Sequence, residues 1–188
     1  MGKIIFSKPV KLIISIFTSY NFLFDYYKNL LVQEYGPIDI ESETQIFDFT
    51  EYYSKEFGKD LIQKLYSFEN LIKPERLSQI KIKTNDIEHI HPDNTKLNNQ
   101  NYLNARKVNI DPGYITLDKF ILASTKNGPS RIYLNDGIYA EITLRFINKS
   151  FVPLEFTYPN YKTDYYINFL NNIRQIYKLQ LRNYSTKS

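Results

Sequence analysis

The 188-residue chain has no cysteine, no tryptophan, one methionine and only 6 glycines. Each scarcity closes a class of chemistry. Without cysteine there can be no disulfide framework, thiol nucleophile, zinc knuckle or iron–sulfur centre, and a reducing cytoplasm is the compartment that fits. Few glycines leave neither a G-x-x-x-x-G-K-[ST] phosphate loop nor a G-x-G-x-x-G dinucleotide fingerprint. There is no G-x-S-x-G elbow, and the only two histidines, His89 and His91, fall into no Ser/His/Asp arrangement. They also lack a third ligand type close by, so no metal centre is expected. Long apolar runs are missing too. The longest near the N-terminus, Val10–Phe17, is interrupted by Lys11 and lacks a small-residue cleavage site after it, so it reads as a buried strand and no membrane association is expected.

What is present points to a folded domain. Hydrophobic residues make up 43% of the chain and aromatics 16%, with 17 Tyr and 13 Phe, far from the profile of a disordered polymer. The length suits a single globular domain over residues 1–182, with His91–Asn104 as a polar surface insertion and 183–188 as a disordered tail. The net charge of +4 comes from 24 basic and 20 acidic side chains spread along the chain, too mixed for a dedicated nucleic-acid binder. Heavy use of Ile, Asn, Lys and Tyr follows the coding bias of an AT-rich genome, which dilutes the message of the aromatic and basic excess.

Val10–Thr18, bounded by Pro9 and Ser19, predicts a strand buried on both faces. A helix follows with Ser19 or Asn21 as its cap. Leu23, Tyr26, Tyr27, Leu30 and Leu31 repeat at helical spacing, and Gly36 and Pro37 stop it. Ile38–Phe49 predicts one or two short strands. A second helix is predicted from Thr50, burying Tyr53, Phe57, Leu61, Ile62 and Leu65, and a third from Pro74, burying Leu77, Ile80, Thr84 and Ile87.

After the polar stretch the period becomes that of strands. Val108 and Ile110 lead into a predicted turn at Asp111, Pro112 and Gly113, and Lys119–Lys126 reads as the next strand. A hairpin then joins Arg131–Leu134 to Ile138–Ile147 through a three-residue loop, Asn135 to Gly137. Its register pairs Arg131 with Glu141 and Tyr133 with Tyr139, and sets Ile132, Leu134, Ile138, Ala140, Ile142, Leu144 and Phe146 on one face. Phe151–Phe156 reads as a further strand. The last helix, from about Thr163, turns Tyr166, Phe169, Leu170, Ile173 and Ile176 inward and Arg174, Lys178 and Arg182 outward. These elements predict an α+β fold, a mostly antiparallel sheet with helices packed mainly on one face.

Two polar arrays carry the functional expectation. Lys81, Asn85 and Glu88 stack along one stripe of the third helix, and Arg131, Tyr133, Tyr139, Glu141, Thr143 and Arg145 share the polar face of the hairpin. Either array can be an ordinary solvated face. If they meet in a cleft with Asp111, Lys119 and Lys126, the set suits an anionic ligand: lysine and arginine neutralise phosphate, while a carboxylate orients hydroxyls or moves a proton. Asp111 and Glu141 are then the candidate catalytic residues. Lys81, Asn85, Glu88, Lys119, Lys126, Arg131 and Tyr139 are the candidate ligand-binding ones.

Several stretches also carry a resemblance. They are Phe47–Gly58 (FDFTEYYSKEFG), Leu71–Glu88 (LIKPERLSQIKIKTNDIE), Arg106–Lys126 (RKVNIDPGYITLDKFILASTK), Arg131–Phe146 (RIYLNDGIYAEITLRF) and Phe156–Thr163 (FTYPNYKT). Together they closely resemble the prokaryotic family termed domain of unknown function 4416. The most specific piece is the Asn-x-Asp-Pro-Gly-Tyr run at Asn109–Tyr114. The resemblance implies a single cytoplasmic domain, and its pattern falls on Thr50, Tyr52, Tyr53, Glu56, Gly58, Lys81, Asn85, Glu88, Asn109, Asp111, Gly113, Tyr114, Lys126, Arg131, Gly137, Tyr139, Glu141, Tyr158 and Tyr161. Phe57 stands where the family has Met, and Asn160 where Asp is expected, which weakens a catalytic role there. The segment His89–Asn104 is longer than usual. The family brings no activity or cofactor with it.

Three functions follow as expectations. The first is a pocket, possibly enzymatic, for a phosphorylated or nucleotide-like small molecule. The second is an RNA-binding module that uses Tyr133 and Tyr139 beside Arg131 and Arg145. The third is a protein-interaction scaffold built on the tyrosines of the second helix and of Tyr158–Tyr166. A pocket requires Asp111, Lys126, Arg131 and Glu141 in one concavity, and RNA binding requires flat, exposed tyrosines on a positive surface.

Overall fold

All nine residues of the first strand, β1 (Val10–Thr18), are buried, because β1 lies in the middle of the sheet with helices over both faces. The structure is a computed structural model that describes residues 2–49, 60–92 and 106–185. After β1 come α1 (Leu23–Tyr35), β2 (Ile38–Glu41), β3 (Gln45–Ile46), β4 (Ile62–Ile72), a short 3-10 turn (Pro74–Arg76) and α2 (Leu77–Glu88). The second half contains β5 (Val108–Ile115), β6 (Lys119–Ser124), β7 (Arg131–Asn135), β8 (Ile138–Ile147), β9 (Ser150–Pro153), a 3-10 turn (Pro159–Lys162) and α3 (Asp164–Ser185). The fold is α+β. The strands form one nine-stranded antiparallel sheet in the order β2-β4-β1-β5-β6-β8-β7, with β3 on β4 and β9 on β8.

Alternation along β1 sorts the core. Leu12, Ile14 and Ile16 point to the face where α1 contributes Leu23, Tyr27 and Leu31, and α2 contributes Ile80 and Ile87. Ile13 points to the opposite face, where α3 brings Tyr166, Leu170, Ile173 and Tyr177. Two of the three helices thus share a face. Tyr177, not Ile176, is the inward residue of that turn of α3, and Arg174 lies over the Phe146 ring at 3.4 Å while donating to the Leu117 carbonyl. Helix α1 begins at Leu23 with no side-chain cap from its preceding residue, its first turn closed by backbone bonds to Tyr20 and Asn21. It ends at Gly36, whose φ of 93° explains the glycine. Helix α3 continues to Ser185, into the stretch expected to be a tail.

Five further expectations are corrected. Leu61, Ile62 and Leu65 do not belong to a helix: β4 runs through Ile62–Ile72 and pairs with β1 along its length. Thr50, Tyr53 and Phe57 lie outside the described residues, as does most of His91–Asn104.

Asp111, Pro112 and Gly113 do not turn; β5 passes straight through them. Gly113 has no positive φ to supply, and its role is close approach, because a Cβ there would stand 2.3 Å from the Ile121 carbonyl oxygen. The hairpin has the expected Arg131–Glu141 and Tyr133–Tyr139 pairs, but its turn is the two residues Asp136 and Gly137, both with positive φ, and a bulge before Asn135 absorbs the extra residue.

A second irregularity, between Phe120 and Ile121 on β6, puts an extra residue into β8, so Ile142 and Leu144 sit on opposite faces. As a result Ile138 and Ala140 pack toward α2, while Leu144 and Phe146 pack toward α3. Strand β9 stops at Pro153, short of Phe156.

Candidate functional site

The site begins with a defect in the sheet. Strands β5 and β6 pair only at Gly113–Leu122, Tyr114–Ile121 and Ile115–Phe120, and beyond that point they part. Residues Val108–Asp111 therefore keep β1 on one side and, among the described residues, have no strand on the other. Buried backbone groups must still be satisfied. The helix α2 does this with side chains: Glu88 Oε1 accepts from the Ile110 N–H at 2.6 Å, and Lys81 Nζ donates to the Ile110 carbonyl at 3.0 Å. Since alternate residues of a strand present their amides to the same side, Pro112 also faces the gap, where a missing N–H does no harm.

The same helix residues tie down the neighbouring side chains. Lys81 Nζ pairs with Asp111 at 2.8 Å, and Asn109 Nδ2 donates to the other Asp111 oxygen at 2.6 Å. Arg106 donates to Glu88 Oε2 at 2.5 Å and to Asn109 Oδ1 at 3.2 Å. Glu88 and Lys81 are only 1% and 5% exposed, so two members of the predicted polar stripe are buried rather than solvated. Burial pushes the Glu88 carboxyl up from its ordinary value, against the pull of Lys81, the Ile110 amide and Arg106.

Across the gap a second cluster gathers on β7 and β8. Arg131 Nε donates to Glu141 Oε2 at 2.8 Å, one Nη donates to the Lys126 carbonyl at 2.8 Å, and the other donates to the Tyr158 hydroxyl. Burial alone would lower the Arg131 pKa, but Glu141 and Tyr158 outweigh it and the guanidinium is held more firmly charged. Tyr158 is pushed up, mainly by burial, and stays a neutral hydroxyl. Glu141 is 4% exposed, and its Oε1 is buried in the cavity wall without a hydrogen-bond partner among the described residues.

Between the clusters lies a cavity of about 920 Å³, near the upper end of the usual size for small-molecule sites. Lys81, Asn85, Glu88, Asp111, Lys126, Arg131 and Glu141 all line it. Lys119 does not. It lies at the other end of β6 beside Asp118, 3.3 Å away, and Tyr139 packs edge-on against Tyr133 with centroids 5.4 Å apart.

The wall also holds residues outside the predicted ligand-binding set, some of which, such as Phe17, Phe47 and Gln63, no sequence signal marked. Phe17 and Phe47 stack at 5.0 Å with 5° between their planes, and Phe49 meets Phe47 edge-on. Below them Asn160 Nδ2 donates to Gln63 Oε1 at 3.1 Å, and Gln63 donates to Ser15 at 2.7 Å. An ionised aspartate at position 160 could not donate that first bond and would have to accept from Gln63 instead. Arg106, Asn109 and Tyr158 complete the polar wall. Among the described residues no group of three or more His, Asp or Glu side chains is placed to hold a metal. No helix there is long and apolar enough to cross a membrane.

Comparison with known proteins supplies the family. The sequence profile described as domain of unknown function, DUF4416, matches residues 8–177. The chain belongs to the DUF4416 family. No protein of curated function and no solved structure matched. The DUF4416 match spans β1 through most of α3, so every described element that lines the cavity lies within it.

Proposed function

We propose that the cavity binds an anionic small molecule, phosphorylated or nucleotide-like, and that the protein acts on or senses it in the cytoplasm. The observation that carries this reading is the charge lining one cavity: Lys81, Arg106, Lys126 and Arg131 stand there with three carboxylates, Glu88, Asp111 and Glu141. Arginine has five N–H donors, and the three nitrogens of Arg131 each spend one on Glu141, Lys126 and Tyr158, leaving two for a ligand. A cation held in that way needs little reordering to meet a phosphate. The Phe17, Phe47 and Phe49 end offers flat apolar surface for a planar ring. If chemistry follows binding, Asp111 and Glu141 are the carboxylates placed to take part.

An RNA platform has less in its favour. Tyr133 is 57% exposed, but it meets Tyr139 at 73° rather than lying beside it, and Arg131 turns inward to Glu141. For a scaffold, Tyr161 and Tyr166 are buried although Tyr158 is exposed, and the tyrosines of the predicted second helix lie outside the described residues.

A thermal-shift screen with nucleotides, sugar phosphates and short RNA tests the reading, since a ligand that prefers the folded state raises Tm. Phosphorylated small molecules are expected to raise Tm in the wild type and to lose most of that effect in Lys126→Ala and Arg131→Ala. Stabilisation by RNA alone, fading with salt, would transfer the argument to the RNA module. A shift that persists in both variants would remove the cavity from the explanation.

A further inference from the structure

The Arg131–Glu141 pair is asymmetric. Glu141 Oε2 is engaged by Arg131 Nε at 2.8 Å, whereas Oε1 of the same carboxylate has no partner, although Glu141 forms part of the cavity wall and is 4% exposed. A buried oxygen left in that state is unfavourable. No described neighbour bonds to it: Arg131 directs its three nitrogens to Glu141 Oε2, the Lys126 carbonyl and Tyr158, and Tyr158 is held as Arg131's acceptor. An occupant of the cavity can bring the missing donor.

A bare phosphate cannot be that donor, because at neutral pH it offers mainly acceptors to an arginine and repels a carboxylate. The occupant has to carry a hydrogen-bond donor beside its anionic part. Resting on the reading of the cavity as an anion site, we infer that on binding the Glu141 carboxylate turns toward the cavity it lines, so that Oε1 accepts a hydrogen bond from a ligand hydroxyl while Arg131 holds the phosphate. The site then takes phosphorylated polyols, the chemistry shared by sugar phosphates and nucleoside phosphates. It discriminates against their deoxy analogues, which leave Oε1 unpaired. Glu141 is thereby a specificity-determining residue, whatever step follows binding.

Matched ligand pairs test this on the intact chain. Glycerol 3-phosphate is compared with propyl phosphate, and adenosine monophosphate with its 2′,3′-dideoxy analogue, by calorimetry. The hydroxylated member is expected to bind about 10- to 100-fold more tightly, the range for a hydrogen bond to a charged group. In Glu141→Gln that gap should shrink to a few-fold. Equal affinity within both pairs in the wild type overturns the inference but leaves the anion site standing, since the phosphates still bind. A gap that survives unchanged in Glu141→Gln overturns the assignment to Glu141. If none of the four compounds binds, the anion site fails and this inference fails with it. The wild-type comparison requires no variant to fold.

Discussion

Two buried lysines show what makes this cavity different from the rest of the interior. Lys11 on β1 is fully buried, pairs with Asp39 and donates to Gln180 of α3 at 3.0 Å. Lys81 on α2 is 5% exposed, pairs with Asp111 and donates to a strand carbonyl. The chemistry is nearly the same, yet only Lys81 lines the cavity. Around Lys11 the sheet stays closed: β1 has β4 on one side, with a bulge just after Lys11, and β5 on the other, so the lysine is spent on Asp39 and Gln180. Burial lowers the Lys11 pKa, against the pull of Asp39. Around Lys81 the sheet has opened, and side chains stand where a strand would be. A buried ion pair is therefore not evidence of a site in itself; the missing strand is what turns one into a wall with space in front of it.

The largest expected effects break each pair in turn. Lys11→Met and Lys81→Met each leave an aspartate without its cation, and removing one partner of a buried pair costs about 3–5 kcal/mol. Asp111 is the more exposed of the two aspartates, so its variant should lie at the lower end of that range. Urea unfolding measures both. In thermal shift, phosphorylated ligands should still stabilise Lys11→Met and fail to stabilise Lys81→Met. Equal loss of ligand response in the two variants would mean that the lysines report overall stability and not the cavity.

A smaller effect sharpens the boundary between the closed and open parts of the sheet. Gly113 is the last β5 residue that β6 still reaches, and a Cβ there would also stand 2.9 Å from Leu122. Gly113→Ala should cost about 1–3 kcal/mol as the strands are pushed apart. Because Leu122 and Ala123 line the cavity, the change should also weaken ligand binding. An alanine variant with wild-type Tm would show that the strands are not as close there as 2.3 Å to the Ile121 carbonyl implies.

The open end also explains what could be read from the sequence. The β1 strand, α1 and the hairpin register are local patterns, and they are found where period and turn residues place them. β4 resisted reading because a strand covered on both faces loses its alternation, and Leu61, Leu65 and Phe68 happen to mimic a helical stripe. Pro112 and Gly113 look like a turn, but one faces a gap and the other admits a neighbouring strand, and neither purpose is visible without the third dimension. The candidate residues divide the same way. Lys81, Asp111, Arg131 and Glu141 announced themselves by charge beside apolar periodicity. Phe17 and Gln63 look like ordinary strand residues, and only the parting of β5 and β6 brings them to the wall.

The smallest effect concerns how α2 replaces the missing strand. Glu88 has its pKa raised by burial, with Lys81, the Ile110 amide and Arg106 only partly opposing the shift. For an acid whose pKa is higher folded than unfolded, the protonated form is the one folding favours. Its stabilising contribution is whole below the unfolded value of about 4.3 and is lost as pH rises through the folded value. Glu88→Gln keeps an oxygen to accept the Ile110 N–H but cannot ionise. The difference in Tm, wild type minus Glu88→Gln, should therefore fall as pH is raised from about 4 to 7, while the carboxylates common to both proteins cancel. A difference that grows with pH would instead mean that the ionised Glu88–Arg106 pair dominates. The open edge would then be held by charge rather than by the hydrogen bond to Ile110, and Lys81, whose charge favours ionised Glu88, would matter more to it.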